Sequence, residues 1–417
     1  MNRSATMRKV NDAGVVWMVN QYAGSPRHGM EYRHYYLARG LLERDHRPVV
    51  ISGSRSHLYA HPPAVSRPFT LEDIDGITYC WVAGTRYKRA VSVGRVVNMA
   101  AFALALQGLP TRRLPRPDAI LVSSPSPFPI RVAARWARRF GARLVFEVRD
   151  IWPLTLQELS GFSSRHPLVA FMQWLEDYAY RVSDSVVSVL PAADRHMVAR
   201  GMDPTKFRYL PNGIDLGASN ASGDAPPAVR EAMRPGAFTV GFVGTLGRAN
   251  VVETLVDAAR LLPPDAFQIV IVGHGSERER LVARAANAPH VAFAGPVPKE
   301  RVASVIGLFD ACYVGYRDNP LYRFGVSPNK LFDYMAAGRP VLFAAAAANQ
   351  PVEEADCGCT VAPEDPVALA EAIRWLAARS PAERARLGAN ARAYVERHHS
   401  YGRLADELAE ILLDGRR

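Results

Sequence analysis

A chain of 417 residues is too long for one ordinary hydrophobic core, and 48% apolar with 22% charged residues excludes a disordered or fibrous protein. Its 51 basic and 40 acidic side chains leave a formal charge of +11, so the partners to expect are anions: nucleic acid, an anionic membrane face or phosphorylated substrates. The four cysteines, Cys80, Cys312, Cys357 and Cys359, are too few and too scattered for a disulfide framework and read as structural thiols.

In chain order, Gly14–Asn20 (GVVWMVN) reads as a first buried strand. The loop Gln21–Gly29 follows, then a helix through Glu31, Arg33, Leu37, Leu41 and Leu42, then a strand at Pro48–Ser52. Strand, loop, helix, strand is the unit of a doubly wound parallel sheet. The loop lacks the G-x-G-x-x-G fingerprint of dinucleotide sites. Further strands are expected at Asp118–Ser123, Arg143–Val148, Ser185–Val189 and Phe207–Leu210, with helices at Arg131–Phe140 and Ser164–Arg181 between them.

Residues 84–117 stand apart. They carry Arg86, Lys88, Arg89, Arg95, Arg112, Arg113 and Arg116 and no acidic residue. Between the basic clusters runs Val96–Leu109, apolar but too short to span a bilayer. It reads either as a segment lying in an anionic membrane surface or as an ordinary buried helix with solvated basic ends.

A second alternating series begins after Pro211–Asp215 (PNGID), opened by the loop-like stretch Ala218–Pro227. Strands are expected at Phe238–Val243, Gln268–Val272, Val291–Ala294, Ala311–Val314 and Pro340–Ala344. Helices are expected at Val252–Leu262, Glu277–Ala286, Lys299–Leu308 and Pro366–Ala378. The expectation is therefore α/β: two Rossmann-like, doubly wound domains, residues 1–213 and 214–397, facing each other across a cleft. The terminal stretch 398–417 is amphipathic, with Leu404, Leu408, Ile411 and Leu412 on or near one face.

The most informative stretch is Phe324–Pro340, FGVSPNKLFDYMAAGRP. Small, turn-forming residues lead into a helix over Lys330–Ala337 that stops at Gly338 and Pro340. Pro328 suits a first helical turn, whose N–H would be unsatisfied anyway. The amides of that turn and Lys330 offer an anion site, and Asp333, one turn on, offers a carboxylate for sugar hydroxyls. The plainer reading is a capped surface helix with an i, i+3 Lys–Asp pair. On the first reading the Lys330 side chain points into wet space.

Together these motifs resemble the retaining GT-B glycosyltransferases of family four, and among them the bacterial branch that builds O-antigen and capsule sugars. The resemblance rests on SPNKLFDYMAAG and FEVRDIWP, and extends through the first loop, LPNGID, GFVGTLG and IVIVGHGSE to nearly the whole chain. It implies that Lys330 and the amides around Ser327, Pro328 and Asn329 hold the donor diphosphate, and that Asp333 binds the ribose. It implies that Gly244 and Thr245 sit at the phosphates, with Arg248 nearby, and that the loop Gly295–Pro298, Val297 included, flanks the base. In residues 1–213, the acceptor-binding domain on this likeness, Arg149 and Asp150 would face the transferred sugar or acceptor. Gly29 would let backbone approach the phosphates. Glu147 is a weaker candidate, since on its strand it shares a face with Arg149 and could pair with it. The sequence departs from the family pattern where many members carry Arg then Lys: here stand Thr245 and Asn250. That throws more of the phosphate neutralisation onto Lys330.

The activity implied is transfer of a hexosyl or N-acetylhexosaminyl group from a nucleotide sugar, UDP-linked in the first instance, to a glycan acceptor on a polyprenyl diphosphate. No cofactor and no metal are called for, and no Asp-x-Asp pair stands ready to hold one. The expected setting is cytoplasmic, peripheral on the inner membrane face, with residues 84–117 as the contact. The terminal helix 398–417 is expected to pack back on the first domain. A nucleotide-sugar epimerase or hydrolase of the same fold is the alternative. A dehydrogenase lacks its fingerprint, and a non-enzymatic sugar-binding protein would tolerate loss of Lys330 and Asp333.

Overall fold

The computed structural model describes residues 13–29, 32–56, 59–85, 93–219 and 223–413. The chain divides into two compact units. The first holds the described residues up to Val189, with Asp194–Leu210 and the chain from Leu404 onward; the second holds Leu190–Ala193 and Pro211–Arg403.

The first unit is built from β1 (Val15–Val19), α1 (Arg33–Leu42), β2 (Arg47–Gly53), β3 (Phe69–Ile74), β4 (Ile77–Val82) and α2 (Val93–Ala105). It continues with β5 (Ala119–Ser123), α3 (Ile130–Phe140), β6 (Arg143–Val148), α4 (Leu154–Ser160), α5 (Pro167–Val182), β7 (Ser185–Ser188), α6 (Asp194–Ala199) and β8 (Phe207–Tyr209). The strand order is β3-β4-β2-β1-β5-β6-β7-β8, parallel except for the β3–β4 hairpin. Strands covered on both faces read as continuous apolar runs: all five residues of β5 are buried. The hairpin escapes that pattern. β3 is a half-exposed edge carrying Glu72 and Asp73, and its turn is Asp75–Gly76, both at positive φ. That dipeptide is the signal by which the sequence announces a strand pair not anticipated above.

The second unit opens with α7 (Leu216–Ser219) and α8 (Pro227–Glu231), then alternates β9 (Phe238–Val243), α9 (Val252–Ala259), β10 (Phe267–Val272), α10 (Arg278–Arg284), β11 (Val291–Ala294), α11 (Val302–Ile306) and β12 (Ala311–Gly315). It continues with α12 (Asn329–Ala336), β13 (Val341–Ala344), α13 (Pro351–Glu354), β14 (Gly358–Val361), α14 (Pro366–Ala377) and α15 (Pro381–His398). Its six strands run parallel in the order β11-β10-β9-β12-β13-β14. Order reverses between β9 and β12, so the carboxyl ends of these two strands open the crevice where such sheets bind ligands.

A final helix, α16 (Tyr401–Leu413), buries Leu404, Leu408 and Leu412. From Leu404 it belongs to the first unit, where Asp406 pairs with Arg44 and Leu413 covers Gly14. The apolar run of residues 96–109 forms most of α2 and a following 3₁₀ turn. Met99, Phe102 and Leu106 are buried, while Val97 and Leu104 stay exposed. Arg86, Lys88 and Arg89 lie outside the described residues.

Candidate active site

The reversal point of the second sheet gathers most of the residues singled out there. β9 ends in Gly244, whose φ of 154° strains any other residue although a Cβ there would meet only ordinary contacts; a Cβ on Gly273, at the end of β10, would lie 2.0 Å from the Gly244 carbonyl. α12 begins right after Pro328, which takes the N-cap position with extended backbone, so the helix starts one residue earlier than the sequence suggests. Tyr334, one turn in, accepts from the Val243 amide (2.8 Å) and donates to its carbonyl (3.1 Å). This fully buried double bond fixes α12 against the end of β9, a role that the sequence motif hides inside an apolar-looking stripe.

Lys330 therefore comes to lie beside Gly244: a Cβ there would be 3.8 Å from Nζ. Nζ donates to Asn250 Oδ1 and sits 4.7 Å from the centre of the Phe242 ring. Asn250 Nδ2 in turn bonds the Thr245 carbonyl at 2.6 Å. Lys330 is half-buried rather than in open water, and burial draws its ammonium down to about 7. Nor does Lys330 pair with Asp333. Asp333 Oδ1 accepts from Lys299 Nζ at 2.7 Å, a half-exposed pair that follows directly on the Gly295–Pro298 loop. Lys299 was not singled out by the sequence reading, though it is the first of the residues that follow the loop expected at the base. Val297 is half-buried against the second unit's core.

Ser327 is spoken for: its hydroxyl accepts from the Asn212 amide (2.9 Å), and its carbonyl from Asn212 Nδ2 (2.7 Å). The LPNGID turn thus braces the segment leading into α12. His399 continues the brace, stacked 4.0 Å from Phe332 with Nδ1 3.0 Å from the Asn212 carbonyl. Arg248 is exposed and reaches Glu277 at 3.4 Å, not Lys330 or Gly244.

In the first unit the segment after β6 is held from below. Ser124 Oγ accepts from the amides of Arg149 (2.8 Å) and Asp150 (3.3 Å), leaving Arg149 half-buried and Asp150 exposed. Glu147 feels the Arg149 charge, but its ion pair is with Arg33. Its wholly buried carboxylate takes Arg33 Nε at 3.0 Å and approaches His34 at 3.4 Å. Burial alone would raise Glu147, but Arg33 and His34 hold it well below the usual carboxylate range. His34, buried, is lowered and bonds Ser123 at 2.8 Å. Arg33 also donates to the Leu210 carbonyl at 3.0 Å. Gly29 has a packing reason for being glycine: at φ 95°, a Cβ would meet the Ala60 amide at 2.9 Å. Among the described residues, no group of three or more His, Cys, Asp or Glu is placed to hold a metal ion.

A family model described as "Glycosyl transferase 4-like domain" matches residues 28–213, and a second, "Glycosyl transferases group 1", matches residues 237–379. The first falls almost wholly within the first unit and the second wholly within the second. The chain belongs to the GT-B glycosyltransferases. A curated relative, a putative teichuronic acid biosynthesis glycosyltransferase from Bacillus subtilis, is 26% identical over 137 residues, about a third of each chain (33% and 34%). Among solved structures, sucrose-phosphate synthase from Thermosynechococcus elongatus is 17% identical with a TM-score of 0.73, over 95% of this chain and 98% of its own. The Anabaena protein HepE, solved with UDP and glucose, is 15% identical with a TM-score of 0.63, over 96% of this chain and 100% of its own. An α,α-trehalose-phosphate synthase (UDP-forming) from Burkholderia vietnamiensis is 15% identical with a TM-score of 0.68, over 96% and 100%. At these identities the likeness is one of fold.

Proposed function

We propose that this glycosyltransferase moves a hexosyl or N-acetylhexosaminyl group, with retention, from a UDP-sugar to a glycan on a polyprenyl diphosphate, in the making of a surface polysaccharide of the O-antigen or capsule type. The observation that carries the donor half is the meeting of Lys330, the α12 N-terminus and the glycine end of β9 at one reversal point. A half-exposed carboxylate, Asp333, stands one turn further along the same helix. Support for UDP comes from the HepE complex, and for a polysaccharide product from the curated relative.

On this reading the bond between the anomeric carbon and the diphosphate oxygen breaks while the acceptor oxygen bonds that carbon on the same face. The proton of the acceptor hydroxyl passes to the leaving phosphate or to Asp150. Charge growing on the leaving group meets Lys330 and the α12 amides. These cations and dipoles replace a divalent metal. The enzyme works on the cytoplasmic side of the membrane, with residues 84–117 among its lipid contacts.

The test is a thermal-shift screen of nucleotide sugars on the wild type and Lys330→Ala. A ligand bound only by the folded state raises the melting temperature. UDP-sugars should shift the wild type and not the variant. If no nucleotide sugar shifts the wild type at millimolar concentration, the reading is wrong.

A further inference from the structure

One surface of the first unit serves neither its core nor the proposed chemistry. On α5, Phe171, Trp174 and Tyr178 follow at spacings of three and four, which puts them on one stripe. Their rings stack as a ladder: Phe128 on Phe171 at 6.0 Å, Phe171 on Trp174 at 5.9 Å, Trp174 on Tyr178 at 6.1 Å. Phe171 and Trp174 are nevertheless 47% and 45% exposed. Leu159 and Phe162, where α4 ends, are 55% and 36% exposed. Arg131 of α3 lies over Trp174 at 5.3 Å, and Arg181 over Tyr178 at 5.7 Å. The outer face of α3 adds exposed Arg135, Arg138 and Arg139, and the helix has no acidic residue.

α2 shares this side of the sheet. Trp17 of β1 packs edge-on against Trp136 and Phe140 of α3. Gly53 of β2 points the same way, because Val49 pairs with Trp17 and Gly53 lies four residues on. A Cβ on Gly53 would meet Gln21 at 3.0 Å and, beyond it, Phe102 of α2 at 3.8 Å. The exposed Val97 and Leu104 of α2 therefore belong to the same layer as the ladder.

We propose that this α2–α3–α5 layer docks on an anionic lipid bilayer, with the aromatic ladder at the headgroup boundary and the α3 arginines on lipid phosphates. The proposal rests on the reading of a lipid-borne acceptor and names the surface that meets the lipid. Clustered exposed apolar area marks an interaction site rather than ordinary surface, and aromatic rings beside arginines suit the membrane–water boundary. A second copy would bring two acid-free arginine faces together, which repel. Nucleic acid would need open ring faces for base stacking, and the ladder's faces are covered by one another.

The test is flotation of the full chain with phosphatidylcholine vesicles, with and without phosphatidylglycerol. The wild type should float only with anionic vesicles. Phe171→Ser with Trp174→Ser, and separately Arg131→Glu with Arg138→Glu and Arg139→Glu, should each weaken binding at least ~10-fold. All these side chains are outside the core, so circular dichroism and UDP binding should be unchanged. Arg230→Glu with Arg374→Glu and Arg397→Glu, the same charge change on the second unit, should bind as wild type. The proposal is overturned if the wild type fails to float, if the ladder variant floats equally well, if the control loses as much, or if sedimentation shows a dimer that the ladder variant dissolves. UDP binding separates the two readings: its persistence without flotation sinks only this surface, and its absence from the wild type sinks the transferase donor assignment.

Discussion

At the scale of single residues, Lys330 is held in conflict. Its half-buried ammonium meets one amide oxygen and one ring face, and burial lowers it to about 7. A diphosphate beside it would favour the charged form, so the bound state holds a proton that the free state sheds above pH 7. The sign follows: affinity for a UDP-sugar should be flat below pH 7 and fall as pH rises above it, by up to ~10-fold per unit. Titration calorimetry in buffers of different ionisation enthalpy should reveal proton uptake at pH 8, absent in Lys330→Met. Equal enthalpies in both buffers would remove Lys330 from the phosphate. Turnover of Lys330→Ala should drop at least ~100-fold if the residue meets charge that grows in the transition state. Asp333 calls for a separate measurement. Asp333→Ala should raise the KM for donor ~10- to 100-fold, the loss of hydrogen bonds to a charged group, with kcat little changed.

At the scale of elements, the buried Arg33–Glu147 pair ties α1 to β6 and, through the Leu210 carbonyl, to the end of β8. Removing one partner strands the other's charge in the core, so Arg33→Met should cost the first unit ~3–5 kcal/mol. Glu147 is depressed in the folded protein, so its stabilisation is present above the ordinary glutamate range and is lost as pH falls through its folded value. Acid should therefore destabilise the wild type more than Glu147→Gln, measured by urea unfolding at pH 7 and pH 4. This cluster also shows where sequence reading stops. Strands such as β5 and β12 were legible because both faces are covered and, Ser123 apart, the residues are apolar or glycine. Strand periodicity put Glu147 beside Arg149, whose charge the carboxylate does feel, but periodicity reports only its own strand; the ion-pair partner is 114 residues away on another element. α15 was missed because its buried positions, Leu387, Gly388, Ala391 and Val395, are mostly small and lie among arginines. Yet Ser380 and Glu383 form a capping box that marks its start. The α12 site was legible as a motif, since a helix start with Pro, Lys and Asp carries its chemistry locally. What enclosed Lys330 was not, because Phe242 and Asn250 come from other elements.

At the scale of the whole molecule, the charge of +11 is unevenly used. At the proposed donor site Lys330 is half-buried, while the α3 arginines stand in solvent. Salt treats these two settings differently. Screening shortens the reach of exposed charges from about 10 Å at 0.1 M to about 3 Å at 1 M and leaves enclosed contacts nearly untouched. Transfer to an acceptor displayed on anionic vesicles should therefore fall at least ~10-fold across that range, while the Kd for UDP-sugar changes by less than ~3-fold. If Lys330 and the helix amides carry the leaving-group charge as proposed, adding a chelator at low salt should leave transfer intact. Rates and binding measured in the same salt series decide the matter. If Kd and rate decline in parallel, the electrostatic work is done at the donor and not at the membrane. If a chelator stops transfer and magnesium restores it, a metal shares the load assigned to Lys330.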